Sequence, residues 1–255
     1  MRENRIRSLW SQGKHATAGW LHIPSMWSAE LMANQDWDSL VVDMQHGTMS
    51  IETAIQMFQA ISTTDTVPLV RMSWNSPGDM MRLLDAGVYG IICPMINTRE
   101  QCEIFVGACR YQPIGYRSLG KARAHIYAGD DYAKHANDTI LTMAMIETQE
   151  AFDNRDEIMS VKGLDGVFIG INDLRFSMTG ELEHDPSDTI VIDALDKILE
   201  SAHRHNIQAG LFTLSPQYAA EMIKKGYQFV AIATDSMLLR QGAANVIKTV
   251  QQQLK

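Results

Sequence analysis

The chain reads as a single (β/α)8 barrel, the TIM-barrel architecture, with an additional helix at its C-terminal end. Three observations predict this. Short apolar, β-rich runs alternate with helix-length amphipathic segments, and the alternation repeats eight times. The length of 255 residues suits one such barrel. A doubly wound open sheet would also alternate, but it usually carries a glycine-rich phosphate loop after its first strand. No such loop follows the first strand here. No low-complexity linker divides the chain, so residues 1–255 are expected to form one domain.

In chain order, the apolar runs that predict strands are 16–23, 39–43, 67–72, 89–95, 140–147, 167–170, 208–212 and 229–234. The amphipathic segments between them are 28–34, 51–62, 78–86, 98–109, 151–159, 190–205 and 215–225, and a last helix spans 237–254. Gly87 reads as the C-cap of the helix that ends in Leu83-Leu84-Asp85-Ala86. Two regions break the rhythm. Residues 111–138 hold Pro113, Gly115, Gly120 and Gly129 with the basic Arg117, Lys121 and Arg123. A long non-periodic insertion is expected to lie at the barrel mouth and to serve function. Residues 172–188, with Gly180 and Pro186, are expected to enclose substrate or to contact another subunit.

Composition narrows the classes. Hydrophobic residues make up 45% and charged residues 20%, which is enough apolar material for a large core. The formal net charge of −8 argues against a nucleic-acid or anionic-membrane partner, since both want a basic face. Cys93, Cys102 and Cys109 form neither a metal pattern nor a disulfide framework, which predicts a reducing, cytoplasmic setting. Residues 1–7 are polar and basic, so no signal peptide is expected, and no apolar run is long enough to span a bilayer.

The chemistry gathers at strand ends. The run Met143-Ala144-Met145-Ile146 closes on Glu147, and Val167-Phe168-Ile169-Gly170 is followed by Asp173. Adjacent barrel strands deliver their C-terminal residues to the same mouth. Two carboxylates there, with no cation of their own, predict a hard divalent metal such as Mg²⁺ or Mn²⁺. A plainer alternative is that Glu147 caps a helix and Asp173 makes a turn. Asp43-Met44-Gln45-His46-Gly47 ends the second strand, and a carboxylate beside an imidazole can make a general base near neutral pH. His46 could equally be a loop histidine bonded to backbone. Arg71 ends the third strand, where it can clamp a carboxylate or an oxyanion. It can also pair with Asp43, Asp85 or Glu147, and the two roles are compatible. Asp85 stands out because an acid at a helix C-terminus opposes the dipole. Among the other histidines, His203 and His205 favour a helix C-terminus, and His15, His125, His135 and His184 carry no pattern. His22 lies near the mouth of the first strand, where it could line a site.

Taken together, these residues resemble the HpcH/HpaI aldolases, the metal-dependent (class II) pyruvate aldolases. The stretches that carry the resemblance occur in family order and cover most of the chain. They are Gly19-Trp20-Leu21, Ser28-Ala29-Glu30-Leu31, Asp43 through Gly47, Val70-Arg71, Leu84-Asp85-Ala86-Gly87 and Pro94-Met95-Ile96. Gly115-Tyr116-Arg117-Ser118, Ile146-Glu147-Thr148 and Gly166 through Leu174 complete the set.

The resemblance implies retro-aldol cleavage of a 4-hydroxy-2-oxo acid to pyruvate and an aldehyde. It implies that Glu147 and Asp173 hold Mg²⁺, Mn²⁺ or Co²⁺, chelated by pyruvate through a carboxylate and the keto oxygen. His46, paired with Asp43, would serve acid–base catalysis, and Arg71 would bind the enolate oxygen. Backbone N–H groups around Gly170–Asn172 would hold the substrate carboxylate. Asp85 would act from a neighbouring subunit or support the outer shell. The C-terminal helix would be exchanged between subunits of a hexamer, a trimer of dimers. Trp20, His22, Phe212 and the 111–138 region would meet the aldehyde.

No lysine lies at a predicted strand end, which counts against a Schiff base. Two residues depart from the family pattern. Met145 stands where many members have Gln, and Ile171 where many have Pro. Two other readings compete. One is a lyase acting on acyl-CoA esters, for which Arg117, Lys121 and Arg123 would offer a modest basic track. The other is a non-catalytic protein that kept the pyruvate site.

Overall fold

The structure is a computed structural model that describes residues 1–120, 122–181 and 188–254. Its elements are α1 (Arg5–Ser11), β1 (Ala16–Leu21), α2 (Met26–Ala33), β2 (Ser39–Asp43), α3 (Ile51–Ile61), β3 (Val67–Arg71), α4 (Pro77–Asp85), β4 (Gly90–Cys93) and α5 (Arg99–Cys109). Then follow α6 (Ala124–Ala128), α7 (Tyr132–Thr139), β5 (Leu141–Ile146), α8 (Gln149–Asp153), α9 (Arg155–Met159), β6 (Gly166–Ile169) and α10 (Ile171–Thr179). The chain ends with α11 (Thr189–Arg204), β7 (Gln208–Thr213), α12 (Pro216–Lys225), β8 (Phe229–Thr234) and α13 (Asp235–Gln253). All eight strands are parallel, and β8 pairs with β1 to close the barrel in sequence order. This is the (β/α)8 fold that the alternation predicts.

The interior is a packed core. Trp20 stacks on Phe168 at 5.3 Å between ring centroids, and Phe168 meets Phe229 edge-on at 6.0 Å. Below them α1, which the strand–helix rhythm does not announce, plugs the N-terminal end. Asn4 caps it by accepting from the Ile6 N–H. Its Ile6 is fully buried, and the Trp10 indole N–H donates to the Gln228 carbonyl at 2.9 Å. With the bottom sealed, open space is left at the mouth.

The 111–138 insertion does not lie at that mouth. It connects α5 to β5, and a helix-to-strand connection returns the chain to the strand starts, the opposite end of its own barrel. There it folds into α6 and α7. Arg117 donates to Asp85 at 2.7 Å and to the Tyr132 hydroxyl at 2.9 Å, and the Tyr111 hydroxyl donates to the Gly120 carbonyl at 2.7 Å. The second irregular region, 172–188, begins as α10, which stops at Gly180 in the left-handed conformation, φ 75°. Lys121, His184 and Pro186 lie outside the described residues.

The last helix, α13, is tied to the barrel at its first turn, where Asp235 accepts from the His22 N–H and the Ser28 hydroxyl. Asp235 is its one buried residue, while Leu239, Val246, Ile247 and Val250 are exposed.

Candidate active site

A cavity of about 490 Å³ opens at the C-terminal ends of the strands. Trp20, His22, His46, Arg71, Met145, Gly170, Asn172, Asp173 and Phe212 line it. Asp43 and Glu147 lie in its floor, both buried. Ten of the eleven candidate site residues singled out from the sequence, His22 included, therefore meet at one mouth. Asp85 does not.

The floor begins with a register. β2 and β3 pair so that Asp43 stands beside Arg71. The Arg71 Nε donates to Asp43 Oδ1 at 2.9 Å, and its Nη2 donates to Oδ2. Both groups are buried, where an unpaired charge would be costly. The Trp20 indole N–H reaches the same Oδ2 at 3.0 Å, and the backbone N–H groups of Gln45 and His46 reach Oδ1 at 3.0 and 3.2 Å. Burial alone would raise the Asp43 pKa. The hydrogen bonds from His22, Arg71 and Trp20, and the Arg71 charge, outweigh it and hold Asp43 well below the usual carboxylate range. Gly47 makes the turn possible, because a Cβ there would sit 2.1 Å from the Asp43 carbonyl oxygen.

The expected pairing of the His46 imidazole with Asp43 is corrected. Asp43 takes only the backbone N–H of His46, while the exposed ring lines the cavity. The imidazole on Asp43 is that of His22, whose Nε2 lies 2.8 Å from Oδ2. The signal was present but weak. His22 follows Trp20 by two, so at the end of a strand both side chains fall on one face.

Across the mouth, β5 delivers Glu147. Its Oε1 accepts from the Met95 backbone N–H at 2.7 Å. Met95 takes a left-handed φ of 55° to present that N–H, a local strain of the kind that collects at functional sites. Among the described residues, Glu147 makes no ion pair. Burial raises its pKa and repulsion from Asp173 adds to the rise, while the Met95 N–H and the Arg71 charge partly offset them. Gly170 lies against it: a Cβ at Gly170 would fall 2.7 Å from Glu147 Oε2. Asp173 is exposed in the first turn of α10. It is thus a helical residue facing the cavity, not a turn residue.

The first turn of α10 has no side-chain cap. The Gly170 N–H is used by the Ile146 carbonyl at 3.3 Å, so it is not part of the expected carboxylate cradle. The N–H groups of Ile171, Asn172 and Asp173 precede the first intrahelical donor, Leu174, and stay free to meet an anion. Met145 is buried against Gly170 and contributes no polar atom.

The donor set fits a hard divalent cation. Two carboxylates of unlike burial repel each other, and the buried one makes no ion pair among the described residues. Among the described residues, no group of three or more His, Cys, Asp or Glu could close a metal site. The protein would supply two oxygen ligands and leave the remaining positions open, as suits a metal that must also accept substrate.

Asp85 lies at the C-terminal end of α4, on the strand-start side of the barrel, bonded to Arg117. It does not support the outer shell of its own chain's site.

Residues 19–242 match the model of the HpcH/HpaI aldolase/citrate lyase family. The chain belongs to that family. Among relatives of this HpcH/HpaI chain is a hydroxypyruvate/pyruvate aldolase of Rhizorhabdus wittichii, 40% identical over 96% of this chain and 97% of the relative. Another is a 4-hydroxy-2-oxo-heptane-1,7-dioate aldolase of Klebsiella pneumoniae, 34% identical over 94% and 91%. A solved structure of an HpcH/HpaI aldolase/citrate lyase family protein from Burkholderia cenocepacia superposes with a TM-score of 0.91 over 98% of this chain and all of that one. At 23% identity that likeness speaks to the fold alone.

Proposed function

We propose that the protein is a divalent-metal-dependent aldolase that cleaves 4-hydroxy-2-oxo acids to pyruvate and an aldehyde and runs the reverse condensation. The observation that carries this reading is the buried Glu147 carboxylate, unpaired, facing Asp173 across a cavity whose floor holds an oriented guanidinium. The two named relatives are pyruvate-type aldolases, which favours this reading over an acyl-CoA lyase. A non-catalytic role has less support, since every charged group the reaction needs is at the mouth.

Glu147 and Asp173 would hold a divalent cation, which would supply Lewis acidity and offset the negative charge that develops in the reaction. Arg71 is held edge-on by Asp43 through Nε and Nη2, which leaves Nη1 without a described partner. That donor is fixed before the reaction begins and meets the enolate oxygen as its charge develops. The N–H groups of Ile171, Asn172 and Asp173 bind the carboxylate of the pyruvate half. His46 takes the proton of the 4-hydroxyl group in cleavage and returns it in condensation. Trp20 and Phe212, 5.6 Å apart, form an apolar wall for the aldehyde half. Among the described residues no lysine lines the cavity, in keeping with an enolate held by charge rather than by an imine.

We assign α13 to exchange between subunits of a hexamer built as a trimer of dimers, because its apolar stripe has no cover in its own chain. In such an assembly Asp85 would serve a neighbour's site, since it cannot reach its own. Mg²⁺, Mn²⁺ and Co²⁺ are the candidate metals, and three buried free cysteines suit a reducing cytoplasm. Described residues contain no helix long and apolar enough to cross a membrane.

The test is aldol condensation of pyruvate with a panel of aldehydes. Exhaustive chelation should abolish it, and Mg²⁺, Mn²⁺ or Co²⁺ should restore it. Trapping of a pyruvate imine by borohydride would overturn the assignment.

A further inference from the structure

We propose that His22 reads a hydroxyl group on the aldehyde half: its Nδ1 accepts that hydrogen bond, so the site selects hydroxyaldehydes over their methyl isosteres. The proposal rests on the aldolase reading above and assigns a residue and a substrate class within it.

The tautomer follows from the partner. Asp43 already collects donors from Trp20, Arg71, Gln45 and His46, and an ionised carboxylate has only acceptors to offer. The His22 Nε2 at 2.8 Å must therefore carry the proton. In the neutral ring Nδ1 then keeps a lone pair. No described hydrogen bond occupies Nδ1, and His22 lines the cavity. What remains is a lone pair presented to substrate, the complement of a hydroxyl.

The ring is held from behind as well. The His22 backbone N–H donates to Asp235 Oδ1 at 2.8 Å, and the Ser28 hydroxyl donates to the other oxygen at 2.8 Å. Asp235 is buried at the start of α13, so β1, α2 and α13 together fix where the imidazole stands. A group locked on both sides spends little entropy on binding.

Position identifies which half of the substrate it meets. In the closed barrel β1 stands four strands from β5 in either direction, so His22 faces Glu147 across the mouth. The pyruvate half belongs to the β5–β6 side, with Glu147, Asp173 and the first turn of α10. The chain beyond the scissile bond extends toward β1. The cavity lining there mixes Trp20, Phe212 and Met237 with the hydroxyl residues Thr234 and Ser236, whose hydroxyls bond to each other at 2.9 Å. Once the substrate's chain displaces water from the part-exposed ring, a substrate lacking the hydroxyl leaves that acceptor unpaired.

The experiment uses the isosteric pair glycolaldehyde and propanal, each condensed with pyruvate by the Mn²⁺-loaded enzyme. The readout is the ratio of their kcat/KM values in wild type, His22→Ala and His22→Asn. Taking the ratio between variants cancels the different intrinsic reactivities of the two aldehydes. His22→Ala is expected to lower the glycolaldehyde preference by about five- to ten-fold, the value of one hydrogen bond. His22→Asn, whose Oδ1 offers an acceptor near the place of Nδ1, should keep part of it. A ratio unmoved by His22→Ala, whether both activities fall together or neither does, overturns the assignment of His22 and leaves the aldolase reading standing. A wild-type enzyme that condenses pyruvate with neither aldehyde nor any other overturns both.

Discussion

Asp43 is the residue on which the most contacts converge. It aims Arg71, fixes the tautomer of His22, anchors the Trp20 indole and holds the turn through His46. Arg71→Ala removes its charged partner as well as the proposed oxyanion donor, so two losses are expected. Breaking a buried ion pair typically costs about 3–5 kcal/mol of stability, partly relieved here by the donors that Asp43 retains. Losing one preorganised oxyanion donor costs about a hundred- to a thousand-fold in turnover. Arg71→Lys keeps the charge but not the planar fork, so it should recover part of both. Steady-state kinetics on a 4-hydroxy-2-oxo acid, alongside thermal unfolding, separates the two effects. A loss below about ten-fold for Arg71→Ala, roughly 1.4 kcal/mol of barrier, would mean that Arg71 is structural only. At this scale much was legible, because a carboxylate or guanidinium that closes an apolar strand reads directly as a group at a barrel mouth. The His22–Asp43 pair was not. His46 lies three residues from Asp43 in sequence, but the tight turn at Gly47 gives Asp43 its backbone N–H and leaves the ring free.

At the scale of elements, the ends of β5 and β6 and the first turn of α10 form one unit. Gly170 is its hinge, with φ −86°, a value open to any residue, so the need for glycine is spatial. Gly170→Ala should leave the backbone unstrained and still push on Glu147, since the new methyl would lie 2.7 Å from Oε2. The expected outcome is a folded protein, by circular dichroism and thermal unfolding, with metal affinity and activity lowered at least ten-fold. Unchanged metal affinity would show that Glu147 has room to move. The strand–helix alternation fixed all eight strands in advance, because a strand buried on both faces is a continuous apolar run. Besides helices α6, α7 and α10, which fall in the two irregular regions, two things escaped it. One was α1, whose short amphipathic run precedes the first strand. The other was the placement of 111–138. Length and glycine content mark an insertion but do not say at which end it lies. Direction says so, since a segment entering a strand cannot stand at that strand's exit.

For the whole molecule, α13 is anchored at its first turn, and its later turns are left uncovered by the described residues of its own chain. A helix that exposes Leu239, Val246, Ile247 and Val250 while burying only Asp235 underlies the proposal that another copy covers it. Sedimentation of the intact protein should show a hexamer. Stop codons that remove residues 242–255, leaving Asp235 and the His22 contact in place, should yield smaller species with impaired activity. A monomeric wild type of full activity would confine the site to one chain and leave Asp85 with its bond to Arg117 as its only role.

The central claim is that Glu147 and Asp173 together hold the metal, and calorimetric titration of Mn²⁺ into the chelator-stripped protein tests it most directly. Wild type should bind one Mn²⁺ per chain. Glu147→Gln and Asp173→Asn should each lose that binding while remaining folded, and Glu147→Gln should unfold at a higher temperature than metal-free wild type because it removes a buried, unpaired charge. Equal Mn²⁺ binding by wild type and both variants would contradict the account.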